Sequence, residues 1–331
     1  MRALWYTRTG PAAEVLCLGE QPDPVAGPGQ ALVRLHASGV NPADCNRRSG
    51  RNYVMEAPLV IPHSDGAGVV EAVGAGVDPA WVGRRVWLYN GQRGRPLGTG
   101  AQWIALDVGL LTELPDSVSF AEGACLGIPG LTAWCALFGD GDVRGKRVLV
   151  TGGAGAVGHY AVQMARWAGA EVFATASPGI KTEQALAGGA HQVFDRADPD
   201  CAQRILDATQ GQGIDRIVEV DLGGNLQNSL KVLAVNGAIS SYASRGNDRP
   251  VLPVYEMARK CLRIHSFYLP SLPLALRQRA QAGMAEWLAG GPRIHRVVGP
   301  FPLEQAVAAH EAVERGGKLG TVVVAPQLTG A

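Results

Sequence analysis

A short glycine-rich segment constrains the possible folds of this chain more than any other feature. Gly153-Ala154-Gly155-Ala156-Val157-Gly158 directly follows the apolar run at residues 148–150. In a GxGxxG segment the first glycine permits a tight turn, the second lets a pyrophosphate approach the backbone, and the third lets a helix pack on its strand. The N-terminus of that helix offers unpaired N–H groups and a partial positive charge to phosphates. The segment therefore predicts a dinucleotide-binding unit, with a tight turn that binds nothing as the alternative.

Strands and helices alternate around this segment. Runs that predict strands occur at residues 147–150, 171–174, 191–194, 216–220 and 237–242. Segments that predict helices lie between them, at residues 160–168, 181–186, 201–209 and 226–233. Because helical crossovers connect parallel strands, this alternation predicts an α/β fold with a doubly wound parallel sheet.

The first part of the chain has a different pattern. Residues 31–37 alternate as a half-buried strand does, and short β-branched runs occur at residues 68–73 and 85–88. Turns rich in glycine and proline separate these runs, which predicts a β-rich, barrel-like domain. After residue 270 a helix-rich tail ends in a strand at residues 321–324. We expect the tail to pack on the first domain, which makes that domain discontinuous.

Composition excludes several classes of protein. The chain has 331 residues, which suggests about two domains, with a net charge of +1 and an apolar fraction of 47%. These values argue against disorder and against binding nucleic acid through bulk charge. No apolar run approaches the ~20 residues of a membrane span, and the N-terminus lacks the features of a signal peptide. Six cysteines without a CxxC pair are typical of free thiols in a reducing compartment, so we predict a cytoplasmic protein.

The end of the second predicted strand indicates which dinucleotide binds. NAD sites usually carry Asp or Glu there, about 20 residues after the glycine loop, to bind the ribose 2′-hydroxyl. Here the strand ends at Ser177, Lys181 follows four residues later, and Arg196 follows the third strand. A small hydroxyl with basic neighbours suits a 2′-phosphate, so we predict NADPH rather than NADH. The alternative for Lys181 and Arg196 is solvated surface charge.

Six segments occur in an order and at distances that match one enzyme group. They are residues 10–16 (GPAAEVL), 38–44 (SGVNPAD), 63–74 (HSDGAGVVEAVG), 127–134 (GIPGLTAW), 151–158 (TGGAGAVG) and 244–246 (SRG). Through them the chain resembles, over nearly its whole length, the zinc-independent quinone oxidoreductases (the zeta-crystallin group) of the medium-chain dehydrogenase/reductase superfamily.

The resemblance implies a fold and an assembly. A GroES-like, β-rich catalytic domain would comprise residues 1–122 and 265–331, and a Rossmann dinucleotide-binding domain would comprise residues 123–264. The active site would lie in the cleft between these domains. Related enzymes commonly dimerise through edge strands of the Rossmann sheet, so we expect a homodimer that pairs within residues 237–269.

Zinc alcohol dehydrogenases of the same superfamily provide the competing interpretation. A Cys, a His and a Cys hold their catalytic zinc, and the matching positions here are Asn41, Ser64 and Ile128. Isoleucine cannot bind a metal, His63 lies one residue out of register, and the four-cysteine lobe for structural zinc is missing. Because zinc needs three or four converging N, S or O ligands, we predict no metal site.

Without a metal, the protein must orient an acceptor that is already electrophilic and stabilise its developing oxyanion. The candidate catalytic residues are Asn41, Asn46, Tyr53 and His63. Asn46 stands where the resembled family often has Tyr, and His63 stands where it usually has Gly. A turn role is the alternative for Asn41, which precedes a proline, and for His63, which follows Pro62.

The candidate cofactor-binding residues lie in the glycine loop or in segments that the resemblance places beside the cofactor. They are Thr132, Gly153, Gly155, Ala156, Val157, Gly158, Ser177, Lys181, Arg196, Ser244, Arg245 and Gly246. We expect an NADPH-dependent enzyme that reduces quinones by direct hydride transfer, with no nucleic-acid or membrane partner. The alternatives are reduction of an α,β-unsaturated carbonyl compound, and a non-catalytic NADPH-binding role of a crystallin-like or RNA-associated kind.

Overall fold

The computed structural model describes residues 1–51, 53–55, 57–291 and 293–328. It divides into a first unit, Met1–Ile128 with His295–Ala331, and a second unit, Pro129–Ile294. Within the described residues, no helix is both long enough and apolar enough to cross a bilayer.

Strands are distributed over both units. Those of the described residues are β1 (Arg2–Trp5), β2 (Cys17–Glu20), β3 (Gln30–Val40), β4 (Asp65–Val73), β5 (Arg85–Leu88), β6 (Trp103–Asp107), β7 (Leu111–Glu113), β8 (Arg147–Val150), β9 (Glu171–Ala176), β10 (Gln192–Asp195), β11 (Ile214–Glu219), β12 (Leu233–Ser241), β13 (Arg263–Ser266), β14 (Val297–Pro302) and β15 (Thr321–Ala325).

Most α-helices of the described residues belong to the second unit. The α-helices of the described residues are α1 (Ala12–Val15), α2 (Pro42–Ser49), α3 (Phe120–Gly123), α4 (Leu131–Phe138), α5 (Ala156–Trp167), α6 (Ile180–Ala187), α7 (Cys201–Ala208), α8 (Leu222–Val232), α9 (Val254–Arg259), α10 (Leu274–Ala289) and α11 (Ala306–Arg315). Shorter turns of helix lie at Pro79–Trp81, Val108–Leu110, Leu126–Gly130, Leu269–Ser271 and Leu303–Gln305.

The main sheet of the first unit is built around β3. Its strand order is β14-β15-β3-β4-β5-β7, with β6 also paired to β3, and only the β14–β15 pair is parallel. Burial alternates along β3 as the sequence predicts, because successive side chains of a strand point to opposite faces. The inner face carries Ala31, Val33 and Leu35, which pack against Val70 and Ile104. A β-rich first domain is therefore confirmed.

The end of the chain completes a second core in the first unit. Ala306 and Val313 on α11 pack with Leu4, Val40 and Val322. Each such buried aliphatic side chain contributes about 1.5–3 kcal/mol to folding. Helix α11 and strand β15, which come last in the sequence, therefore stabilise the first unit by packing on residues from its beginning.

Six parallel strands form the sheet of the second unit, in the order β10-β9-β8-β11-β12-β13. This is the 3-2-1-4-5-6 order of a Rossmann fold, so the predicted doubly wound parallel sheet is confirmed. Leu149, Ile217 and Ile239 of its central strands are buried, because helices cover both faces. The strand order reverses at β8 and β11, and ligands of such sheets bind at the carboxyl ends of the strands there.

Helix α10 belongs to the second unit. Its residues Met284 and Trp287 are fully buried, and the Trp134 indole of α4 lies so close to Gly283 that a Cβ there would be 2.1 Å from Nε1. The sequence places the return to the first domain at residue 265, whereas the second unit runs to Ile294. The difference arises because α10 uses its small and aromatic residues to pack on α4.

Candidate active site

The glycine loop between β8 and α5 forms a close backbone turn. A side chain at Gly158 would bring its Cβ to 2.2 Å from the Gly152 carbonyl oxygen, and one at Gly153 would bring its Cβ to 2.8 Å from that of Ala174. A Cβ at Gly155 would meet only that same carbonyl oxygen, at 3.3 Å. Packing therefore requires the first and third glycines, whereas the second leaves space for an approaching phosphate.

The first turn of α5 supplies donors to this space. No side chain caps the helix after its N-cap residue Gly155. The N–H groups that begin an α-helix lack partners within it, and Ala156 and Val157 occupy these positions. The cradle and its donors fit a pyrophosphate, and the predicted loop residues are brought together here.

A buried carboxylate that sequence reasoning missed supports the loop. Glu219, at the end of β11, accepts hydrogen bonds from Thr151 Oγ1 (2.8 Å), Asn225 Nδ2 (2.7 Å) and the Asp221 N–H (2.7 Å). Thr151 directly precedes the loop, and Asn225 lies on α8. One carboxylate therefore ties the loop to the start of α8. The sequence did not single Glu219 out, because β11 also carries Asp215 and Arg216.

The predicted turn after β12 is held in a similar way. Asp221 Oδ1 accepts hydrogen bonds from the backbone N–H groups of Arg245 and Gly246, both at 2.8 Å. Ser244, the first residue of this turn, comes three residues after Ser241, where β12 ends. Thr132 is buried in the first turn of α4, which packs on β11 and β12. The turn with Ser244, Arg245 and Gly246 thus lies beyond the carboxyl end of β12, and Thr132 lies on the neighbouring α4.

Three further predicted residues surround the end of β9. Ser177 follows the strand directly, Lys181 lies in the first turn of α6, and Arg196 follows β10. The Arg196 N–H donates to the Ala176 carbonyl at 3.4 Å, which brings the two strand ends together. Neither Lys181 nor Arg196 forms an ion pair with the described residues. Ser177 therefore stands where NAD sites usually have an acid, with Lys181 and Arg196 nearby and Asp195 of β10 paired with Ala176.

In the first unit, Asn41 joins β3 to α2 and is held by two carboxylates. Its Nδ2 donates to Asp65 Oδ2 (2.7 Å), and its backbone N–H donates to Asp44 Oδ2 (2.8 Å). Burial raises the pKa of Asp44 to about 6 and raises that of Asp65 well above its usual value, although both accept hydrogen bonds. Asn41 is the N-cap residue of α2 and forms a capping box with Asp44, in keeping with a turn role.

The positions that match zinc ligands are bound to the same two carboxylates. Ser64 Oγ donates to Asp44 Oδ1 at 3.3 Å, and the Ile128 N–H donates to Asp65 Oδ1 at 2.9 Å. Asn41, the third of these positions, is hydrogen-bonded to the same carboxylates, those of Asp44 and Asp65. Within the described ranges, no three His, Cys, Asp or Glu side chains are arranged to hold a metal ion.

A cavity of about 220 Å³ lies in the first unit, and we call it the arginine cavity because Arg47, Arg93 and Arg95 line it. Tyr53 also lines it, with its ring centroid 5.4 Å from the guanidinium carbon of Arg47. Asn46 precedes Arg47 on α2, and its side-chain amide makes no hydrogen bond with the described residues. Tyr53 therefore lies where a ligand could bind.

His63 lies in a fully buried network. Its Nδ1 is 2.9 Å from Ser38 Oγ, and its Nε2 is 2.9 Å from Nε2 of His310. Burial lowers the pKa of His63 to about 3 and lowers that of His310 well below its usual value, so both rings are neutral near pH 7. His63 also has a φ of 78°, as a residue in a turn can have. This geometry favours the interpretation in which His63 supports the fold.

Two family models match the chain. The one described as alcohol dehydrogenase GroES-like domain matches residues 27–116, and the one described as zinc-binding dehydrogenase matches residues 156–289. The second match does not include Asn41, Ser64 or Ile128, so its description does not bear on those positions. The quinone oxidoreductase of Rattus norvegicus is 34% identical over 303 residues, which are 89% of this chain and 88% of that protein.

Solved structures show the same likeness. A mycobacterial protein in complex with NADPH has a TM-score of 0.85 and 27% identity, and the match covers 98% of this chain and 100% of that chain. A 2-haloacrylate reductase has a TM-score of 0.84 and 27% identity, with coverage of 99% and 100%.

The family follows from identity above 30% over most of both chains, together with a GroES-like match and a Rossmann sheet. The fold and the resemblance predicted from the sequence are both confirmed. The glycine cradle at α5 fits a nicotinamide dinucleotide as the cofactor. The chain is an oxidoreductase and belongs to the quinone oxidoreductases of the zinc-independent medium-chain dehydrogenase/reductase group.

Proposed function

We propose that this enzyme reduces quinones with NADPH by direct hydride transfer and without a metal ion. The observation that carries the proposal is the open glycine cradle at α5, beside a β9 rim with Ser177 in place of an acid. The relative from Rattus norvegicus, named a quinone oxidoreductase, supports the choice of acceptor.

The second unit would hold the cofactor, which when bound supplies a hydride from C4 of its nicotinamide ring. The N–H groups in the first turn of α5 would bind the pyrophosphate. Glu219 keeps the loop in place through Thr151, and Asp221 keeps the turn at Arg245 and Gly246 in place. A quinone that accepts one hydride and one proton becomes a hydroquinone, so the two electrons and both hydrogens are accounted for.

The first unit would orient the acceptor. Asp65 fixes one amide hydrogen of Asn41, and the second amide hydrogen would orient the acceptor. A donor at the developing oxyanion lowers the barrier most when it is already oriented, and Asp65 provides that orientation. We assign the same role to the Tyr53 phenol at the arginine cavity and to the Asn46 amide on α2, which makes no hydrogen bond within the described part of the chain. In this proposal His63 is a supporting residue.

The preference for NADPH over NADH is part of the proposal. Arg196 and Lys181 flank the end of β9 without ion-pair partners among the described residues, so both can approach a 2′-phosphate. The mycobacterial neighbour in complex with NADPH supports this choice.

Two alternatives remain for the function. The likeness to a 2-haloacrylate reductase favours reduction of an activated carbon–carbon double bond, in which hydride and proton add to its two carbons. A non-catalytic NADPH-binding protein is the alternative from another class, since a fold alone does not establish turnover.

We also propose a homodimer and a cytoplasmic location. Strand β13 lies at the edge of the parallel sheet, and the segment before it exposes Val251, Val254 and Tyr255. An edge strand with apolar neighbours can pair with a second copy of itself. The six cysteines are all free thiols, as is usual in a reducing compartment.

The test is the steady-state oxidation of NADPH with 1,4-benzoquinone, 9,10-phenanthrenequinone and a set of enones. We expect quinone-dependent oxidation of NADPH, and a KM for NADH at least about tenfold higher. Turnover of enones alone favours the alkene reductase. Binding of NADPH without turnover of any acceptor favours the non-catalytic alternative. Equal KM values for NADPH and NADH contradict the assignment of Lys181 and Arg196.

A further inference from the structure

Five buried side chains of the first unit form one continuous chain of hydrogen bonds. In order they are those of Cys45, His310, His63, Ser38 and Thr99. The successive polar atoms are 3.5, 2.9, 2.9 and 2.8 Å apart. The last of them, Thr99 Oγ1, donates to the carbonyl oxygen of Asp65 at 2.7 Å. Each of the five residues is at most 3% exposed, and hydrogen bonds in such a medium are stronger than in water.

The direction of this chain follows from its last bond. A carbonyl oxygen only accepts, so the single hydroxyl hydrogen of Thr99 points to Asp65, and the Ser38 hydroxyl must donate to Thr99. Ser38 Oγ has then used its own hydrogen and can only accept from the ring of His63. Nδ1 of His63 therefore carries a hydrogen.

The two imidazoles continue the same direction. Both are neutral near pH 7, because burial lowers the pKa of each. A neutral ring has one hydrogen, so Nε2 of His63 accepts and Nε2 of His310 donates across the 2.9 Å between them. Nδ1 of His310 is then an acceptor, in keeping with the Cys45 thiol beside it. Every link thus has one donor and one acceptor, and His310 is the donor on which His63 depends.

The chain is attached to both segments that hold Asn41. Ser38 lies on β3, three residues before Asn41, and the neighbouring strand β4 begins at Asp65, whose carboxylate accepts from Asn41 Nδ2 at 2.7 Å. His63 lies two residues before Asp65. The chain ends on a peptide carbonyl, which has no hydrogen to pass on. Its effect is therefore on the geometry of these segments and not on the delivery of protons.

The backbone at His63 makes this geometry sensitive to the ring. His63 has a φ of 78°, a conformation that residues other than glycine keep only where the surrounding structure holds them. Its carbonyl accepts from the Thr99 N–H at 3.0 Å, and the bonds to Ser38 and His310 hold its side chain. Without the donor from His310, Nε2 of His63 would be a buried acceptor with no partner, which is costly. We expect the ring to turn and the backbone at Asp65 to move with it.

We propose that His310, on α11, is a positioning residue for the hydride-transfer site: by donating to His63 it fixes the segment that carries Asp65 and so the orientation of the Asn41 amide. This inference rests on the proposed function, in which that amide orients the acceptor. A group that orients the acceptor acts on the rate of the reaction more than on the binding of NADPH, since small misplacements at a reacting centre are costly.

The first test compares two substitutions of His310. In His310→Gln the side-chain amide can take the place of Nε2 and donate to His63, whereas the side chain of His310→Leu has no donor. With NADPH and 1,4-benzoquinone, we expect His310→Leu to lower kcat about tenfold and to change the KM for NADPH less than about twofold. His310→Gln should retain at least about a third of kcat.

Val313→Ala is the matched control, because it also truncates a buried side chain of α11 but one with no polar atom. It should lower Tm through lost packing and leave kcat within about twofold. If its kcat falls as far as that of His310→Leu, activity follows stability alone and the proposal is overturned. An unchanged kcat in His310→Leu also overturns it, while the proposed function stands.

Nuclear magnetic resonance of the unchanged protein tests the direction of the chain without any variant that must fold well. With the ring nitrogens of histidine isotopically labelled, we expect the hydrogen on Nδ1 in His63 and on Nε2 in His310 at pH 7. The signals are assigned by their loss in His63→Gln and His310→Gln. The opposite tautomer at either ring overturns the proposal.

If no acceptor is reduced, the proposed function fails separately, and the side-chain amide signals of Asn41 decide the inference. In protein with labelled asparagine, these signals are assigned by their loss in Asn41→Ala. We expect them to shift in His310→Leu and to stay in place in His310→Gln and Val313→Ala. Unchanged Asn41 signals in His310→Leu overturn the proposal.

Discussion

Gly158→Ala tests whether the glycine loop is shaped for packing. The new Cβ would lie 2.2 Å from the Gly152 carbonyl oxygen, 2.9 Å from its carbonyl carbon and 3.0 Å from Gly153 Cα. All three are backbone atoms, so the loop must move by about 1 Å, and overpacking of this kind costs about 1–3 kcal/mol. A loss of about 2 kcal/mol lowers Tm by roughly 4–8 °C for a unit of this size.

Differential scanning calorimetry measures this loss, and titration with NADPH measures the change in affinity. We expect Gly158→Ala to lower Tm and to weaken binding about tenfold, because the moved loop no longer aims its N–H groups at the pyrophosphate. Gly155→Ala is the matched control. Its Cβ has 3.3 Å of clearance within the protein, so Tm should change little while NADPH binding weakens. An unchanged Tm for Gly158→Ala, or full NADPH affinity for Gly155→Ala, refutes the packing and phosphate assignments respectively.

Three further outcomes are expected. Asp65→Asn should lower kcat about tenfold with a smaller change in KM, measured by steady-state kinetics, because Asp65 orients Nδ2 of Asn41; equal kcat values would remove Asp65 from the mechanism. Arg196→Ala should raise the KM for NADPH about tenfold and leave that for NADH unchanged; a parallel rise for both cofactors would contradict a 2′-phosphate contact. The folded-state pKa of His63 is about 3, below its usual 6.5, so its neutral form stabilises the fold above pH 6.5 and this stability is lost as pH falls toward 3. Between pH 7.5 and 5 the wild type should lose roughly 2 kcal/mol more than His63→Gln in urea unfolding, and identical losses would contradict the burial of a neutral imidazole.

Much of the fold could be predicted because its signals are local. A GxGxxG segment after an apolar strand, and the alternation at residues 31–37, each depend on neighbouring residues alone. The packing of α10 on α4 could not be predicted in this way, since it depends on Gly283 meeting Trp134 across a long stretch of sequence. The extent of the second unit therefore differs from the predicted boundary.

The residues of the candidate site also differ in whether they could be predicted from local sequence. Gly153, Gly155 and Gly158 are recognisable from their spacing, and the structure brings them together. Glu219 and Asp65 were missed because a carboxylate in sequence has no sign of burial or of its partners. Whether such a residue is solvated or holds several donors depends on contacts between distant segments, as the bonds of Glu219 to Thr151 and Asn225 show.

The placement of Glu219 has a consequence for redesign of the enzyme. In the proposed function the phosphates would be bound by a loop that is held from β11, where the Glu219 carboxylate binds donors from the loop and from the start of α8. The proposed contact with the ribose or its 2′-phosphate lies at a different strand end, on the rim after β9. If these assignments hold, changes at Ser177 and its basic neighbours should exchange one coenzyme for the other while the glycine loop keeps its shape. A laboratory evolution experiment on coenzyme preference should accumulate its mutations on that rim and leave Glu219 unaltered.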